Sequence, residues 1–306
     1  MITLNQDKEL VRVSSWDDIT QRPGFTAPLD PLQHKLKGII GQYSFASDIP
    51  CGLSTCRTMH KNGYLVVTQS GHETNLGKDC GKNYFGVDFE TMRNIYDRDY
   101  RAKEQRERLY SLQNQLDTWN KKLASVRAGA TGVDATWHKV RPFREIGKGV
   151  PNLVVQQLRS MLKAGTSILT IDRLATQEET ERFEASQGRS VQRPHYVSQT
   201  LGEIQGLHAL RDDMDLRSLF VLELEEPLNE FKKVIVETLS SNELNRYAKW
   251  ESGLDAHFKR AMKSLEAASI FLNSANLTKL SKILTKDEDR EAYEKFLHSC
   301  FASEKT

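Results

Sequence analysis

The sequence predicts a mainly α protein with a small α+β module near its N-terminus, and three observations predict it. Apolar residues recur at spacings of three and four along residues 109–126 and again along 247–272, as on helices that bury one face. Three of the four cysteines fall within residues 51–86, a stretch that otherwise reads as two short strands joined by a turn. Apolar runs are short and charged residues are interspersed throughout, so the chain predicts a folded protein without a bilayer-spanning helix.

Taken in order, "ELVRVSS" alternates apolar and polar residues like a half-buried strand. "QRPGFTAPLDP" reads as a loop, and "LQHKLKGIIGQYSF" as a short helix or a strand. After the cysteine stretch, Asp88 is a fitting N-cap for a long helix that Gly129 and Gly132 should stop. Its seam of Leu109, Leu112, Leu116, Trp119, Leu123 and Val126 is coiled-coil-like but covers fewer than three heptads, so it predicts packing on another helix of the same chain. Residues 130–152, rich in glycine and proline, read as a linker. Beyond it, "NLVVQQLRSMLKAG" is a short helix, and "TSILTIDRLAT" is ambiguous between strand and helix. "TQEETERFEASQGRSVQRP" is a charged helix or an exposed loop, and the last third is a helical bundle. The expected divisions are 1–87 with the module at 51–86, a helix at 88–129, a basic linker at 130–152 and a helical domain at 153–306.

The candidate ligands in the cysteine stretch are Cys51, Cys56, His60, His72 and Cys80. Zinc favours four sulfur or nitrogen ligands in a tetrahedron, and C-x4-C-x3-H-x19-C supplies a Cys3His set: Cys51, Cys56, His60 and Cys80. "YLVVT" and "ETNL" predict a β-hairpin with His72 at its turn, ~15 Å from its base at strand rise, so His60 is preferred as the fourth ligand. The competing reading is that the cysteines are small buried hydrophobes; their clustering favours the metal. A ligand-bearing loop, a hairpin and a last ligand beside a helix start resemble the treble-clef class of zinc modules over residues 51–86. The usual close C-x2-C pairs are missing. With all four positions filled by protein, the expected Zn2+ is structural.

No H-E-x-x-H, no deaminase signature H-x-E with P-C-x-x-C, no P-loop and no G-x-S-x-G occurs, so the expectation is a protein that is not an enzyme. Asp212, Asp213 and Asp215 read as a solvated helix start rather than a cation site. Residues 101–150 carry 11 Lys and Arg against 5 Asp and Glu. Within them "TWHKVRPFREIGKG" interleaves Lys139, Arg141, Arg144 and Lys148 with aromatic residues, the best nucleic-acid candidate outside the module, against the competing reading of a loop whose aromatics anchor it to the core. Lys78 and Lys82 flank Cys80. The expected function is a non-enzymatic, zinc-stabilised binding protein that contacts nucleic acid through Lys78, Lys82 and the basic linker. Its helices would offer a surface for a homodimer. The alternative is a protein–protein adaptor or inhibitor whose zinc stiffens a recognition surface; a zinc-dependent enzyme ranks third. Without an apolar leader or a disulfide framework, the expected compartment is the cytoplasm, with no membrane contact.

Overall fold

Five strands form the first sheet: β1 Ile2–Gln6, β2 Glu9–Val13, β3 Leu36–Pro50, β4 Met59–Thr68 and β5 Glu73–Leu76, in the order β2-β1-β3-β4-β5, antiparallel throughout. The computed structural model describes residues 2–6 and 9–301. A short helix, α1 (Asp17–Thr20), lies between β2 and β3. The long helix α2 (Lys78–Arg127) follows β5, interrupted at Gly86, whose φ of 57° and ψ of −134° are not helical. Then come α3 (Val133–Arg144), α4 (Asn152–Ala164), β6 (Ile168–Leu174), α5 (Gln177–Gln187), β7 (Tyr196–Glu203), α6 (Glu226–Phe231), α7 (Ser241–Phe271), α8 (Ser274–Ser281) and α9 (Asp287–Phe301). The architecture is mainly α with a smaller β component. The chain divides into two compact units, Met1–Leu112 with Ile235–Glu251, and Gln113–Val234 with Ser252–Thr306.

In the first unit, strand alternation divides the sheet between two cores. Ile2, Leu4, Tyr43 and Leu65 fill one face together with Ile19 of α1. Val66 and Leu76 meet Leu29, Leu36, Leu53 and Phe89 of α2 in the other, where Cys51 and Cys80 are also buried. The expected hairpin is β4–β5, with His72 in its turn. It belongs to a larger sheet than the sequence suggested, because residues 36–45 of "LQHKLKGIIGQYSF" open a strand of 15 residues. The helix expected to begin at Asp88 is preceded by a further helical piece starting at Lys78, so Cys80 sits in a first helical turn rather than in a turn ahead of the helix.

In the second unit, the residues read as a linker form α3. Val133, Thr136, Val140 and Phe143 repeat at three, four and three and are all buried, so this segment has the same apolar period as the helices around it. Phe143 meets Phe271, Tyr293 and Phe296 edge-on, with centroids 5.1 to 6.5 Å apart. The C-terminal region also holds the β6–β7 hairpin. Helix α5, between these strands, starts with a capping box in which Thr176 and Glu179 satisfy each other's backbone N–H groups. The α2 seam is occupied within the chain: Leu109, Leu112, Leu116 and Leu123 are buried, and Trp119 meets Phe258 of α7 at 5.8 Å.

Candidate metal centre

Cys51 and Cys56 lie on the β3–β4 connection and Cys80 in the first turn of α2. Their sulfurs all lie within 4.8 Å of one another, with Cys56 and Cys80 3.2 Å apart. Metal–sulfur bonds of ~2.3 Å in a tetrahedron put sulfurs ~3.8 Å apart, inside that range. Among the described residues no other group of three or more potential ligands is this close.

Local structure brings the three together. Residues 51–58 form a closed loop in which the Cys51 N–H donates to the Thr58 carbonyl at 2.9 Å. Gly52 lets this loop run against β5: a Cβ there would meet Thr74 Oγ1 at 2.2 Å. Arg57, beside Cys56, is the one described non-glycine residue with positive φ. It turns the chain so that the Thr58 backbone hydrogen-bonds Cys56, as the Leu53 backbone does Cys51. Both bonds favour ionised sulfur. The Tyr84 hydroxyl donates to the Thr55 carbonyl at 3.2 Å and ties the loop to α2.

Burial pushes the Cys51 thiol up and the Cys80 thiol up to about 12. At the more exposed Cys56 burial acts the same way, but hydrogen bonds from the Thr58 side chain and backbone outweigh it and the thiol falls below its ordinary value. Two thiols whose ionisation burial opposes, beside one whose ionisation hydrogen bonds favour, form a sulfur cluster that a soft divalent cation would ionise fully.

His60 lies outside this group. Its ring stacks on Tyr43, Nδ1 is 3.0 Å from the Tyr43 hydroxyl, and it packs beside Gly77, three residues before Cys80. Its Nε2 is buried without a hydrogen-bond partner, and burial lowers its pKa, favouring the neutral ring that a metal needs. The Tyr43 hydroxyl also accepts from Asn75 Nδ2 at 3.4 Å. Tyr43 and Asn75 thus anchor His60, a role for which neither carried a motif in the sequence. His72 has its Nδ1 at 3.1 Å from Thr26 Oγ1, and its ring faces His34 at 5.0 Å.

The basic residues divide sharply. In the first unit Lys78 is exposed and Lys82, 61% exposed, reaches Glu90 at 3.5 Å. Arg57, in the loop that carries Cys51 and Cys56, and Lys61, beside His60 on β4, are exposed as well. In the second unit Arg144 pairs with Asp215 and with Asp212 at 3.0 Å, and is only 17% exposed. Arg141 pairs with Glu145 at 2.8 Å and lies over the Trp137 ring, whose Nε1 donates to Asp215. Lys139 is on α3 near Cys300, and Lys148 is exposed beyond the helix. The acidic trio is itself consumed by ion pairs, Asp213 with Arg211.

No family model, curated protein or solved structure matches this chain, so no relative supports a treble-clef assignment. Among the described residues no helix is long and apolar enough to cross a membrane.

Proposed function

We propose that this is a non-enzymatic binding protein whose first unit is organised around one structural Zn2+, and that the rim of that site contacts nucleic acid. The observation that carries the metal reading is the convergence of Cys51, Cys56 and Cys80 from a loop and a helix start. His60 is the candidate fourth ligand because its Nε2 is buried and unpartnered, a state that costs ~1–3 kcal/mol unless something binds there. Zinc would supply charge and cross-linking, and no reaction step is assigned to it.

Nucleic-acid contact is supported by Arg57, Lys61, Lys78 and Lys82, exposed on the segments that carry the ligands. Arg141 and Arg144 are bound to carboxylates of their own unit and contribute little to this reading. A protein partner is the second reading, favoured by exposed Met59 and Val87 near the same segments, 55% and 76% accessible. A helix-mediated homodimer loses its main support, because the α2 seam is covered within one chain.

Metal analysis of the purified protein should return about one zinc per chain. Cys56→Ser should lower it, and His60→Ala should lower it more than His72→Ala. Equal content in the two histidine variants removes His60 from the set. The triple variant Arg57→Glu, Lys61→Glu, Lys82→Glu should abolish salt-sensitive retention on single-stranded DNA or RNA. Undiminished retention, or salt-insensitive capture of one protein, displaces the nucleic-acid reading.

A further inference from the structure

The sheet face turned toward α2 holds a cavity of about 330 Å³. Cross-strand register builds its floor. Thr3 pairs with Gln42, Gln42 with Tyr64, and Ser44 with Asn62. These side chains emerge on one face, opposite Leu4, Tyr43 and Leu65, which fill the other core. Tyr43 and Gly63 of the same strands also border it, and Lys78 and Tyr100, both from α2, close it. On one straight helix they would stand ~33 Å apart. The break at Gly86 turns the first helical piece, so both border the same space.

The lining has a definite chemistry. It contains a lysine and no carboxylate, so it suits a ligand with an anionic end. The side chains of Gln42, Asn62 and Lys78 make no hydrogen bond or ion pair with any other described residue. Each amide offers a donor beside an acceptor, the complement of a nucleobase edge. Tyr64 is held by Asp97, to which its hydroxyl donates at 3.2 Å. Tyr96 covers one face of the Tyr100 ring, with centroids 6.0 Å apart and planes at 23°. The two tyrosines are thus fixed as aromatic walls before any ligand arrives. The volume lies within the range of small-ligand sites.

We propose that this cavity binds one nucleotide unit, with the base edge against Gln42 and Asn62, the ring beside Tyr100 and the phosphate at Lys78. The inference deepens the nucleic-acid reading, on which it rests, by naming where a single strand would seat a base; a free nucleotide presents the same chemistry.

Calorimetric titration of the full chain loaded with zinc tests it, using AMP, GMP, CMP, UMP, ribose 5-phosphate and short single-stranded oligonucleotides. At least one mononucleotide should bind at least tenfold more tightly than ribose 5-phosphate. The Gln42→Ala, Asn62→Ala pair should weaken that binding at least tenfold; Gln42→Glu, a near-isosteric change, should do likewise if the pair fails to fold. Ribose 5-phosphate binding as tightly as the nucleotides, or no loss in a folded cavity variant, overturns the proposal. The Arg57→Glu, Lys61→Glu, Lys82→Glu variant separates the sources. If it keeps mononucleotide binding and loses oligonucleotides, a strand is the natural ligand; if it keeps both, a free nucleotide is. Rim-dependent oligonucleotide retention with no mononucleotide binding sinks the cavity and leaves the rim reading standing. Mononucleotide binding without retention of any strand does the reverse.

Discussion

Two basic stretches of this chain look alike in sequence and end in opposite states. Around the cysteines, Arg57, Lys61, Lys78 and Lys82 remain on the surface, with one loose pair to Glu90. On α3, Arg141 and Arg144 are taken up by Glu145, Asp212 and Asp215, and the aromatic residues between them pack inward or cap the ion pairs. A cation is available to a partner only where the fold sets no carboxylate opposite it. The same contrast holds for polar cores: the first unit gathers ionisable sulfur that could hold a cation, and the second pairs its part-buried Arg144 with carboxylates of its own.

The largest expected effect falls on the metal. On the proposed reading, stripping zinc with a chelator would remove binding free energy that acts on the folded state alone, roughly 4 kcal/mol at a thousandfold excess over Kd. For a unit of this size that would lower the midpoint by ~15 °C. Hydrogen exchange should place the loss in the sheet and the start of α2, with α3 to α6 unchanged; uniform loss would erase the distinction between the units. The pH dependence should invert as well. With zinc, stability falls on acidification, as protons compete for the sulfurs. Without zinc, the raised Cys51 and Cys80 thiols stay protonated in the folded state while the unfolded ones ionise. Their contribution is therefore intact at low pH and is lost as pH rises past ~8.5. Denaturation of both forms across pH 5–10 reads the crossing, and parallel profiles would contradict it.

A smaller effect separates the two basic stretches. Arg144→Ala should cost ~1–3 kcal/mol, because it strands Asp215 in a half-buried site; that is below the cost for a fully buried pair because both side chains keep some exposure. It should leave nucleic-acid retention unchanged. Rim substitutions should do the opposite, within ~0.5 kcal/mol in stability. Weakened retention in a folded Arg144→Ala protein would show that α3 contacts the partner after all.

The smallest effect concerns the β6–β7 hairpin. Thr176→Ala removes the capping box of α5 and should cost ~1 kcal/mol. Hydrogen exchange of the first amides of α5 is the measurement. Protection equal to the parent would mean that Arg173, which holds Glu179 at 2.6 Å, fixes the helix start without the cap.

Much of the site was legible in local sequence. The crowding of cysteines, the β4–β5 hairpin and the position of His72 in its turn all follow from spacing and strand propensity. The α3 helix was hidden because Gly132, Pro142, Gly147 and Gly149 drew attention from the period of Val133, Thr136, Val140 and Phe143. The glycines lie outside the helix and Pro142 falls in its last turn, so none of them interrupts that period. The five-stranded sheet was hidden for a different reason: β1 joins β3 by register between distant residues, and a pair such as Leu4 with Gly41 has no local signature.

By itself the sequence determined which residues could ligate a metal, where the long apolar helical faces lie and how charge is spread along the chain, since composition and period are local properties. Only the tertiary structure decided which cations stay free, that Tyr43 and Asn75 anchor His60, and that Lys78, Asn62, Gln42 and Tyr100 share one cavity. Those outcomes depend on which distant segment packs opposite, through strand register and the Gly86 break, and packing partners are set by the whole chain at once.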